Sequence, residues 1–374
     1  MAFSTKLTLA ASLFVFAPAL YANQADVQAE IRALKLQLQD ISARLQQLEA
    51  SQGMQAPYDS RSQPETMIIE RDETPAVTVY GLLEIEAGYS DNQQGSSSDL
   101  GVATVELGLD AQLTRNINAT VTALYEEDAT DLEIDQATLT LADLAGSGVS
   151  LSLGQTYVPF GNFETNLVND TLILELAETR ETAAMLSWEY QGFNVSAYTF
   201  NGDIDHGGDT LESLGVSLGW SNDGFSFGAD YISNILDSDS LSAALAEDIS
   251  EAGLDLSNIE DRAGAFILQA TARLANLMLI AEYVDSERFS IGSFSERELQ
   301  AVHLEAATDI GPWTLALSWQ ETDNAANLLP QERLSLGAST SINDSLGIGL
   351  EYWRDQDYSG RDADNLLLQL NAHF

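Results

Sequence analysis

Residues 365–374 read NLLLQLNAHF and alternate strictly between two kinds of position. Successive side chains of an extended chain point to opposite faces. One face of this segment carries only apolar side chains, namely Leu366, Leu368, Leu370, Ala372 and Phe374. The other face is mainly polar and carries Asn365, Leu367, Gln369, Asn371 and His373. This pattern is typical of a strand that separates lipid from a wet lumen in a transmembrane barrel.

A strand of a soluble sandwich alternates in the same way, so the rest of the chain has to distinguish the two folds. From residue 77 onward the sequence predicts sixteen strands, at 77–90, 100–113, 117–126, 132–141, 149–156, 183–190, 193–201, 211–221, 225–236, 263–274, 277–286, 296–309, 313–321, 333–342, 346–354 and 365–374. Every second connection is a tight turn, such as Gln191-Gly192, whereas most of the others are longer and rich in Asp, Ser and Gly. A soluble sandwich has no reason to produce that asymmetry. The sequence therefore predicts an all-β transmembrane barrel of sixteen antiparallel strands at residues 77–374.

Aromatic residues gather at both ends of the predicted strands. Beside the tight turns lie Trp188, Tyr190, Phe193, Trp220, Phe225 and Trp313. Near the opposite strand ends lie Tyr89, Tyr125, Tyr231, Tyr283, Trp319 and Tyr352. Trp and Tyr favour the two interfaces of a membrane, so these groups predict two aromatic belts. The final Phe374 resembles the assembly signal of outer-membrane barrel proteins, and we expect it to serve in barrel assembly.

The first 22 residues have the pattern of an export signal. Lys6 precedes an apolar run from Leu7 to Ala17, and the small residue Ala22 offers a cleavage site. The run is too short to cross a membrane as a helix, and no later stretch reaches the roughly 18–20 apolar residues that a helical span needs. An exported chain without helical spans crosses a membrane only as a closed barrel. We therefore expect a signal peptide at residues 1–22 and a location in the outer membrane.

A heptad repeat of apolar residues precedes the strands, at Val27, Ile31, Leu34, Leu38, Ile41, Leu45 and Leu48. It predicts a short N-terminal coiled-coil helix at residues 23–51, a stalk on the periplasmic side of the barrel. In a parallel coiled coil Glu30 would face Lys35 of the neighbouring chain, and Arg44 would face Glu49, so the charges favour a parallel homo-oligomer. A single amphipathic helix that lies on the barrel or on another periplasmic partner is the alternative.

The segment between the stalk and the first strand has no periodicity. Residues 52–76 contain Gly53, Pro57, Pro64 and Pro75 and predict a linker. The mixed Leu and Ile core of the stalk does not fix the number of chains. By analogy with general porins, we expect a homotrimer that is joined partly through the coiled coil.

The composition excludes several classes of function. The chain contains 58 acidic and 15 basic residues, and its formal net charge is −43. Such a surplus repels nucleic acid and small anions and attracts cations. Adaptation to a saline environment is the alternative cause of the same composition. The lack of cysteine in the sequence excludes a disulfide framework and a thiolate metal site.

No constellation in the sequence predicts catalysis or a bound cofactor. The three histidines lie far apart, at His206, His303 and His373, and none has metal-ligand spacing. No glycine-flanked serine elbow accompanies them. The acidic stretch 237–262 lacks the ligand and the glycine that a calcium loop requires, so it predicts a solvated external loop with a helix at 241–252. We therefore expect a protein that is not an enzyme and that needs neither metal nor cofactor.

The strand face opposite the apolar one should line the lumen of the barrel. Its acidic members are Glu84, Glu86, Glu106, Asp110, Glu189, Asp230, Glu282, Glu305 and Glu351. Its basic members are few, chiefly Arg273 and Arg333. A pore lined mainly by carboxylates favours cations and cationic or neutral solutes. The alternative is that these carboxylates only keep the interior wet.

The connection after the fifth strand, at about 157–182, has a sequence character of its own. Apolar residues such as Leu172, Ile173 and Leu176 alternate there with charged ones. The charged residues are Glu164, Asp170, Glu175, Glu178, Arg180 and Glu181. We expect an inner loop whose apolar side chains pack on the barrel wall and whose charged side chains form the pore constriction. A lid on the surface is the alternative.

The distinctive stretch is YVPFGNFETNLVNDTLILELAETRE, residues 157–181. Together with the order of signal peptide, coiled coil, linker and sixteen-stranded barrel, it resembles the siderophore porins of the LbtU family. The resemblance implies passive or gated uptake of ferric siderophore across the outer membrane, independent of TonB. We therefore expect a channel for ferric siderophore that is embedded in outer-membrane lipid. The lumen residues by themselves indicate only polar, cationic or neutral solutes, so the alternative is a general cation-preferring diffusion porin for ions and small polar solutes. A structural anchor for the stalk is a further alternative.

Overall fold

The computed structural model describes residues 76–127, 130–202, 211–252, 262–291 and 294–374. The predicted signal peptide (1–22), the stalk (23–51) and the linker up to residue 75 lie outside the described residues. They remain predictions.

Within the described residues, sixteen long strands close into one antiparallel barrel. They are β1 (Ala76–Asn92), β2 (Gly95–Thr114), β3 (Ile117–Glu126), β4 (Thr130–Leu141), β5 (Val149–Tyr157), β6 (Arg180–Tyr190), β7 (Phe193–Phe200), β8 (Ser213–Ser221), β9 (Phe225–Ile232), β10 (Ala265–Leu274), β11 (Leu277–Ser286), β14 (Gln300–Ile310), β15 (Trp313–Asp323), β16 (Glu332–Asn343), β17 (Leu346–Gln356) and β18 (Asp362–His373). A short hairpin of β12 (Phe289–Ile291) and β13 (Phe294–Arg297) stands between β11 and β14. The predicted barrel of sixteen antiparallel strands is confirmed.

Each predicted strand overlaps an observed one, and the differences lie at the strand ends. β1 and β2 continue to a turn at Gln93-Gln94, so their connection is shorter than predicted. The strand predicted at 296–309 begins at Gln300, because the residues before it pair with β12 instead of with β11. Local alternation fixes the middle of a strand better than its end, where a hairpin outside the barrel competes for the same residues.

The last strand closes the barrel against the first. β18 pairs with β1 from Leu82↔His373 to Asn92↔Ala363. Beyond that ladder, Gly81 and Phe374 exchange two backbone hydrogen bonds, with N···O distances of 2.8 and 3.1 Å. The Phe374 ring covers Gly81, where any larger side chain would collide with it. Phe374 thus belongs to the seam of the barrel, and its role as an assembly signal stays a prediction.

Large apolar side chains face outwards at alternate positions of the strands. On β8, Leu214, Val216 and Leu218 are exposed, whereas Ser213 and Gly215 are buried inside. Aromatic side chains are also exposed at both rims, among them Trp188, Tyr190, Phe193, Phe225 and Trp313 near the tight turns and Tyr89, Tyr231 and Tyr352 near the long loops. An apolar outer band between two aromatic girdles is what contact with lipid requires.

Two connections fold into the interior and fill one side of it. The first is the inner loop, residues 158–179, which contains helix α1 (Leu172–Ala177). The second is the described part of the β9–β10 loop, residues 233–252 and 262–264, which contains a 3₁₀ turn (Ile235–Asp237) and helix α2 (Asp239–Ala252). Within the described ranges, neither helix is long and apolar enough to cross a membrane.

The two loops share an apolar core with the barrel wall. Side chains of both helices meet those of β10 and β11 in one cluster, which includes Ile173, Leu176, Leu241, Leu245, Ile267 and Val284. The sequence predicted a solvated external loop at 237–262, and this prediction was wrong for the start of α2, where Leu241 and Leu245 are buried. The reason is the partner: apolar side chains of α1, distant in sequence, cover that part of α2.

Candidate functional site

Carboxylates of the barrel wall accept hydrogen bonds from the backbone of the inner loop. Asp230 on β9 accepts the N–H of Gly161 at 3.0 Å. Glu282 on β11 accepts the N–H groups of Asn162 and Phe163 at 2.8 and 3.2 Å. A loop that is buried away from water has to find such acceptors for its backbone, since an unpaired N–H group is costly there.

The arrangement continues along the loop. Glu305 on β14 accepts the N–H of Asn166 at 2.9 Å and the hydroxyl of Thr165 at 2.6 Å. Glu351 on β17 accepts the N–H groups of residues 168–169 at 2.7 and 2.8 Å. Hydrogen bonds to a charged acceptor are stronger than neutral ones. The wall carboxylates that hold the inner loop in this way are Asp230, Glu282, Glu305 and Glu351, each at most 4% exposed.

Two glycines let the inner loop lie close to the wall. Leu167 lies against Gly337 of β16, and Val168 lies against Gly349 of β17. A Cβ atom at either glycine would collide with the side chain above it. The loop backbone and its apolar side chains therefore both face the wall, in the orientation that the sequence predicted for the apolar residues.

Helix α1 turns the end of the inner loop towards the β9–β10 loop. Thr171 caps the helix, because its hydroxyl accepts the N–H of Leu174 at 3.1 Å. Gln320 of β15 accepts the N–H of Leu172 at 2.7 Å. The fully buried side chains of α1 are Leu172, Ile173, Leu176 and Ala177. With this face buried, Glu175 and Glu178 lie on the side of the open lumen.

The two basic residues that were predicted to line the lumen both have acidic partners. Arg273 donates to Glu164 at 2.9 Å. Arg333 donates to Asp355 at 2.8 Å and to the carbonyl of Asp170 at 3.2 Å. Their positive charge is thereby compensated locally, and it fixes the inner loop at two points.

An open passage of about 1450 Å³ remains beside the inner loop. Its walls come chiefly from β1–β4 and β16–β18, from the inner loop and from the first turn of α2. Among the described residues, ten carboxylates line it, namely Glu84, Glu86, Glu106, Glu126, Glu127, Asp135, Asp170, Glu175, Glu178 and Asp239. Arg180 is the one arginine of the described residues that lines it. Acidic side chains thus lie on the wall and on both loops.

The passage brings together some of the predicted site residues and leaves out others. Those in the passage are Glu84, Glu86, Glu106, Asp170, Glu175, Glu178 and Arg180. Asp110 accepts the hydroxyl of Thr120 at 2.5 Å outside the passage lining. Glu189 is exposed beside the tight turn after β6, and Glu181 is buried on β6. The wall carboxylates lie beneath the inner loop, as described above.

Four acidic residues of the passage were missed by the sequence analysis: Glu126, Glu127, Asp135 and Asp239. Alternation along β3 would have found Glu126, because Thr120, Thr122 and Glu126 share a face. Asp135 is the residue left without a partner by an irregularity of the β3–β4 ladder, which breaks the simple alternation. Asp239 lies in a loop, where no alternation exists to indicate its direction.

The arginine of the passage is neutralised by its neighbours. Arg180 lies 2.5 Å from Glu133 and 3.1 Å from Asp135. The hydroxyl of Tyr157 also donates to Asp135, at 2.8 Å. Glu175 of the inner loop lies 3.6 Å from Arg333 of β16.

Crowding of carboxylates shifts the pKa values of the inner loop. Burial raises the pKa of Glu178 to about 7, and the negative charges of Asp239, Asp170, Glu126 and Asp135 add to the effect. Burial also raises the pKa of Asp170 and of Glu175, while the charge of Arg333 opposes the rise in both.

His303 lies inside the barrel, beneath the inner loop. His303 is fully buried, and its Nε2 atom lies 3.5 Å from Glu305. Within the described ranges, no group of three His, Asp or Glu side chains is placed to hold a metal ion. His303 therefore lies beside Glu305, the wall carboxylate that accepts hydrogen bonds from Thr165 and Asn166 of the inner loop.

The closed barrel has counterparts among known proteins. A family model for Gram-negative porins matches residues 60–373. The chain belongs to the Gram-negative porin family. Family and fold agree on an outer-membrane β-barrel of the porin type.

Two curated relatives are similar over part of their length. A UPF0422 protein of Coxiella burnetii is 24% identical over 312 residues, which cover 77% of this chain and 66% of that protein. A UPF0422 protein of Legionella pneumophila (strain Lens) is 22% identical over 180 residues, 44% of this chain and 34% of that protein. The match thus covers just under two thirds of the Coxiella protein and about a third of the Legionella protein.

Solved structures with the same fold include channels of different character. The outer-membrane channel DcaP of Acinetobacter baumannii has a TM-score of 0.60 at 13% identity, over 80% of this chain and 97% of that one. The anion-selective porin from Comamonas acidovorans has a TM-score of 0.58 at 13% identity, over 80% of this chain and 100% of that one. OmpT of Vibrio cholerae, in its trimer form, has a TM-score of 0.55 at 11% identity, over 81% and 100%.

Proposed function

We propose that this porin is a cation-preferring diffusion channel for ions and small polar solutes. The observation that carries the proposal is the lining of the passage by ten carboxylates and one arginine among the described residues. A narrow passage with low-dielectric walls focuses the field of such charges, so cations gather in it and anions are repelled.

The side chains of the lining, and not the fold, determine whether such a channel prefers cations or anions. The anion-selective porin from Comamonas acidovorans has the same fold at a TM-score of 0.58. In the present porin, Arg180 pairs with Glu133 and Asp135, so the basic side chain of the lining offers little positive potential to an anion. The predicted pore constriction is supported at Asp170, Glu175 and Glu178, which all face the passage.

Reversal potentials across a planar bilayer test the proposal. The full-length porin is reconstituted between two KCl solutions of different concentration at neutral pH. A reversal potential of the sign that potassium sets supports the proposal. A potential near zero, or one of the sign that chloride sets, contradicts it.

Uptake of ferric siderophore is the second candidate function. It is supported by the resemblance of residues 157–181 to the LbtU family, in the segment that forms the inner loop. The acidic passage adds the condition that the ferric complex be neutral or cationic. A deletion strain is grown under iron limitation with its native ferric siderophore. Lost uptake of the labelled complex supports this candidate. Normal uptake of the complex together with altered permeability to small solutes supports the general diffusion channel instead.

We further propose a homotrimer, joined partly through the stalk at residues 23–51. The heptad repeat and its charge pairs support this proposal, and OmpT of Vibrio cholerae, a protein of the same fold, is known in a trimer form. Deletion of residues 27–48 should reduce the oligomer on native gels. An unchanged oligomer would indicate that the stalk binds another periplasmic partner instead.

A further inference from the structure

The start of α2 is fastened to the end of the inner loop. The N–H of Asp239 donates to the carbonyl of Glu178 at 2.9 Å. The carboxylate of Asp239 accepts the N–H of Arg180 at 3.1 Å. The hydroxyl of Ser238 donates to the carbonyl of Leu176 at 2.9 Å. Three hydrogen bonds within a few residues place the two loops side by side.

The barrel wall and the apolar core hold the same segment from the other side. Asp237 is buried, and its carboxylate accepts the hydroxyl of Ser213 on β8 at 2.7 Å. Leu241 and Leu245 are 2% and 1% exposed in the core that α2 shares with α1. The start of α2 is therefore part of the packed interior, and the hydrogen bond from Ser213 also joins this segment directly to the barrel wall.

One face of α2 borders the passage. Asp239, Ser240 and Ala243 line it, and Asp239 and Ala243 are four residues apart, so they lie on the same side of the helix. The lining also includes Glu126 and Glu127 at the end of β3, on the wall side of the same mouth. The mouth at the long-loop end of the passage is thus bordered by two loops and the wall.

We propose that the start of α2 is a second constriction element and that Asp239 determines cation selectivity jointly with Glu178. This inference rests on the proposed cation preference of the channel. A solute that passes the mouth meets a carboxylate from each loop. The N–H of Asp239 donates to the backbone carbonyl of Glu178, and the Asp239 carboxylate accepts the N–H of Arg180, so these bonds hold the two residues side by side. Asp239 adds the charge of a second loop to that of the inner loop, and the pair with Glu178 concentrates negative potential on one side of the mouth.

The closeness of the two carboxylates agrees with the titration of Glu178. After burial, the charge of Asp239 is the largest cause that raises the pKa of Glu178. Like charges affect each other in this way only over short distances, because solvent and ions screen them. A cation between the two groups relieves their repulsion, which is the physical reason for selectivity at this place.

The test uses two charge variants and a matched control in the full-length porin at pH 8.5. Asp239→Asn keeps an acceptor for the N–H of Arg180 and removes one charge, and Glu178→Gln removes the other. Asp223→Asn makes the same change as the first variant in the exposed turn between β8 and β9, outside the passage. We expect the potassium-to-chloride permeability ratio to fall about twofold or more in each charge variant and to stay constant in the control.

A size variant tests the geometry without any change of charge. Ala243→Trp should lower the single-channel conductance, because the bulky ring would enter the passage from α2. Ala272→Trp on the apolar outer surface of β10 is its control and should leave the conductance unchanged. Heat-modifiable mobility on gels confirms that each variant has formed the barrel.

The outcomes separate this inference from the proposed function. A cation-selective wild type whose selectivity and conductance are unaffected by Asp239→Asn and Ala243→Trp would overturn the inference and leave the cation channel standing. A wild type without cation preference would overturn the proposed function, whereas a reduced conductance in Ala243→Trp would then still support the second constriction element.

Discussion

Glu178 lies two residues before β6, and its surroundings disfavour the ionised form. It is faced by Asp170 of the inner loop, Asp239 of α2, Glu126 of β3 and Asp135 of β4, and these charges and its burial raise its pKa to about 7 from the ordinary 4.5. Arg180 on β6 lies near, but Glu133 and Asp135 compensate it. A group with a pKa in this range changes its charge around neutrality.

The first prediction concerns the pH dependence of selectivity. Glu178 is protonated well below pH 7 and ionised well above it, so the cation preference should rise as the pH rises from 6 to 8. The free energy of unfolding changes with pH in the opposite direction. Because the pKa of Glu178 is raised in the folded state, its contribution to stability is fully present below pH 4.5 and is lost as the pH rises through 7. Reversal potentials at several pH values measure the first effect.

Glu178→Gln supplies the control for this prediction. The variant has no titrating group at residue 178, so its cation preference should be lower at pH 8 and nearly independent of pH between 6 and 8. If the cation preference of the wild type and of the variant changed equally with pH over this range, the titrating group would be another carboxylate of the passage.

The inner loop shows how an element is positioned by residues far from it in sequence. Its acceptors Asp230, Glu282, Glu305 and Glu351 lie on β9, β11, β14 and β17. Alternation along the strands was sufficient to predict that these four side chains point inwards. Whether they meet water or the loop backbone depends on which side of the lumen the loop covers, and no local pattern contains that information.

The second prediction tests the wall carboxylates as anchors of this element. Glu351→Ala removes the acceptor of two backbone N–H groups, at residues 168 and 169. Each buried donor left unpaired costs about 1–3 kcal/mol, so the inner loop should loosen and the barrel should unfold at a lower temperature. We expect noisier single-channel currents and a lower transition temperature in heat-modifiable gel mobility.

Glu351→Gln is the matched variant for the second prediction. Its amide oxygen can accept the same N–H groups without a charge, so currents and transition temperature should lie closer to those of the wild type than to those of Glu351→Ala. Equal loss in both variants would point to the charge, and not the acceptor, as the stabilising feature.

At the scale of the molecule, the barrel was predictable and the passage only in part. Alternation repeats in each strand and tight turns recur at every second connection, so many weak local signals agree on one fold. The passage depends on two loops that meet inside the barrel, and their contact joins Glu178 to Asp239, 61 positions apart. A charged loop residue such as Asp239 carries no periodicity that distinguishes the interior from the outside, and it was therefore missed.

The net charge of −43 and the ten carboxylates of the passage lead to the third prediction, on ionic strength. The Debye length falls from about 30 Å at 0.01 M to about 3 Å at 1 M salt, so the field of the lining reaches across the passage only in dilute solution. The potassium-to-chloride permeability ratio should therefore fall steeply as KCl is raised over this range. Selectivity that arose from a fixed size limit or from contact at one site would change little with salt.

Two variants check that the lining is the source of this salt dependence. Asp223→Asn alters a charge outside the passage, so its permeability ratio should fall with salt as that of the wild type does. Glu84→Gln combined with Glu86→Gln should begin from a lower permeability ratio and fall less.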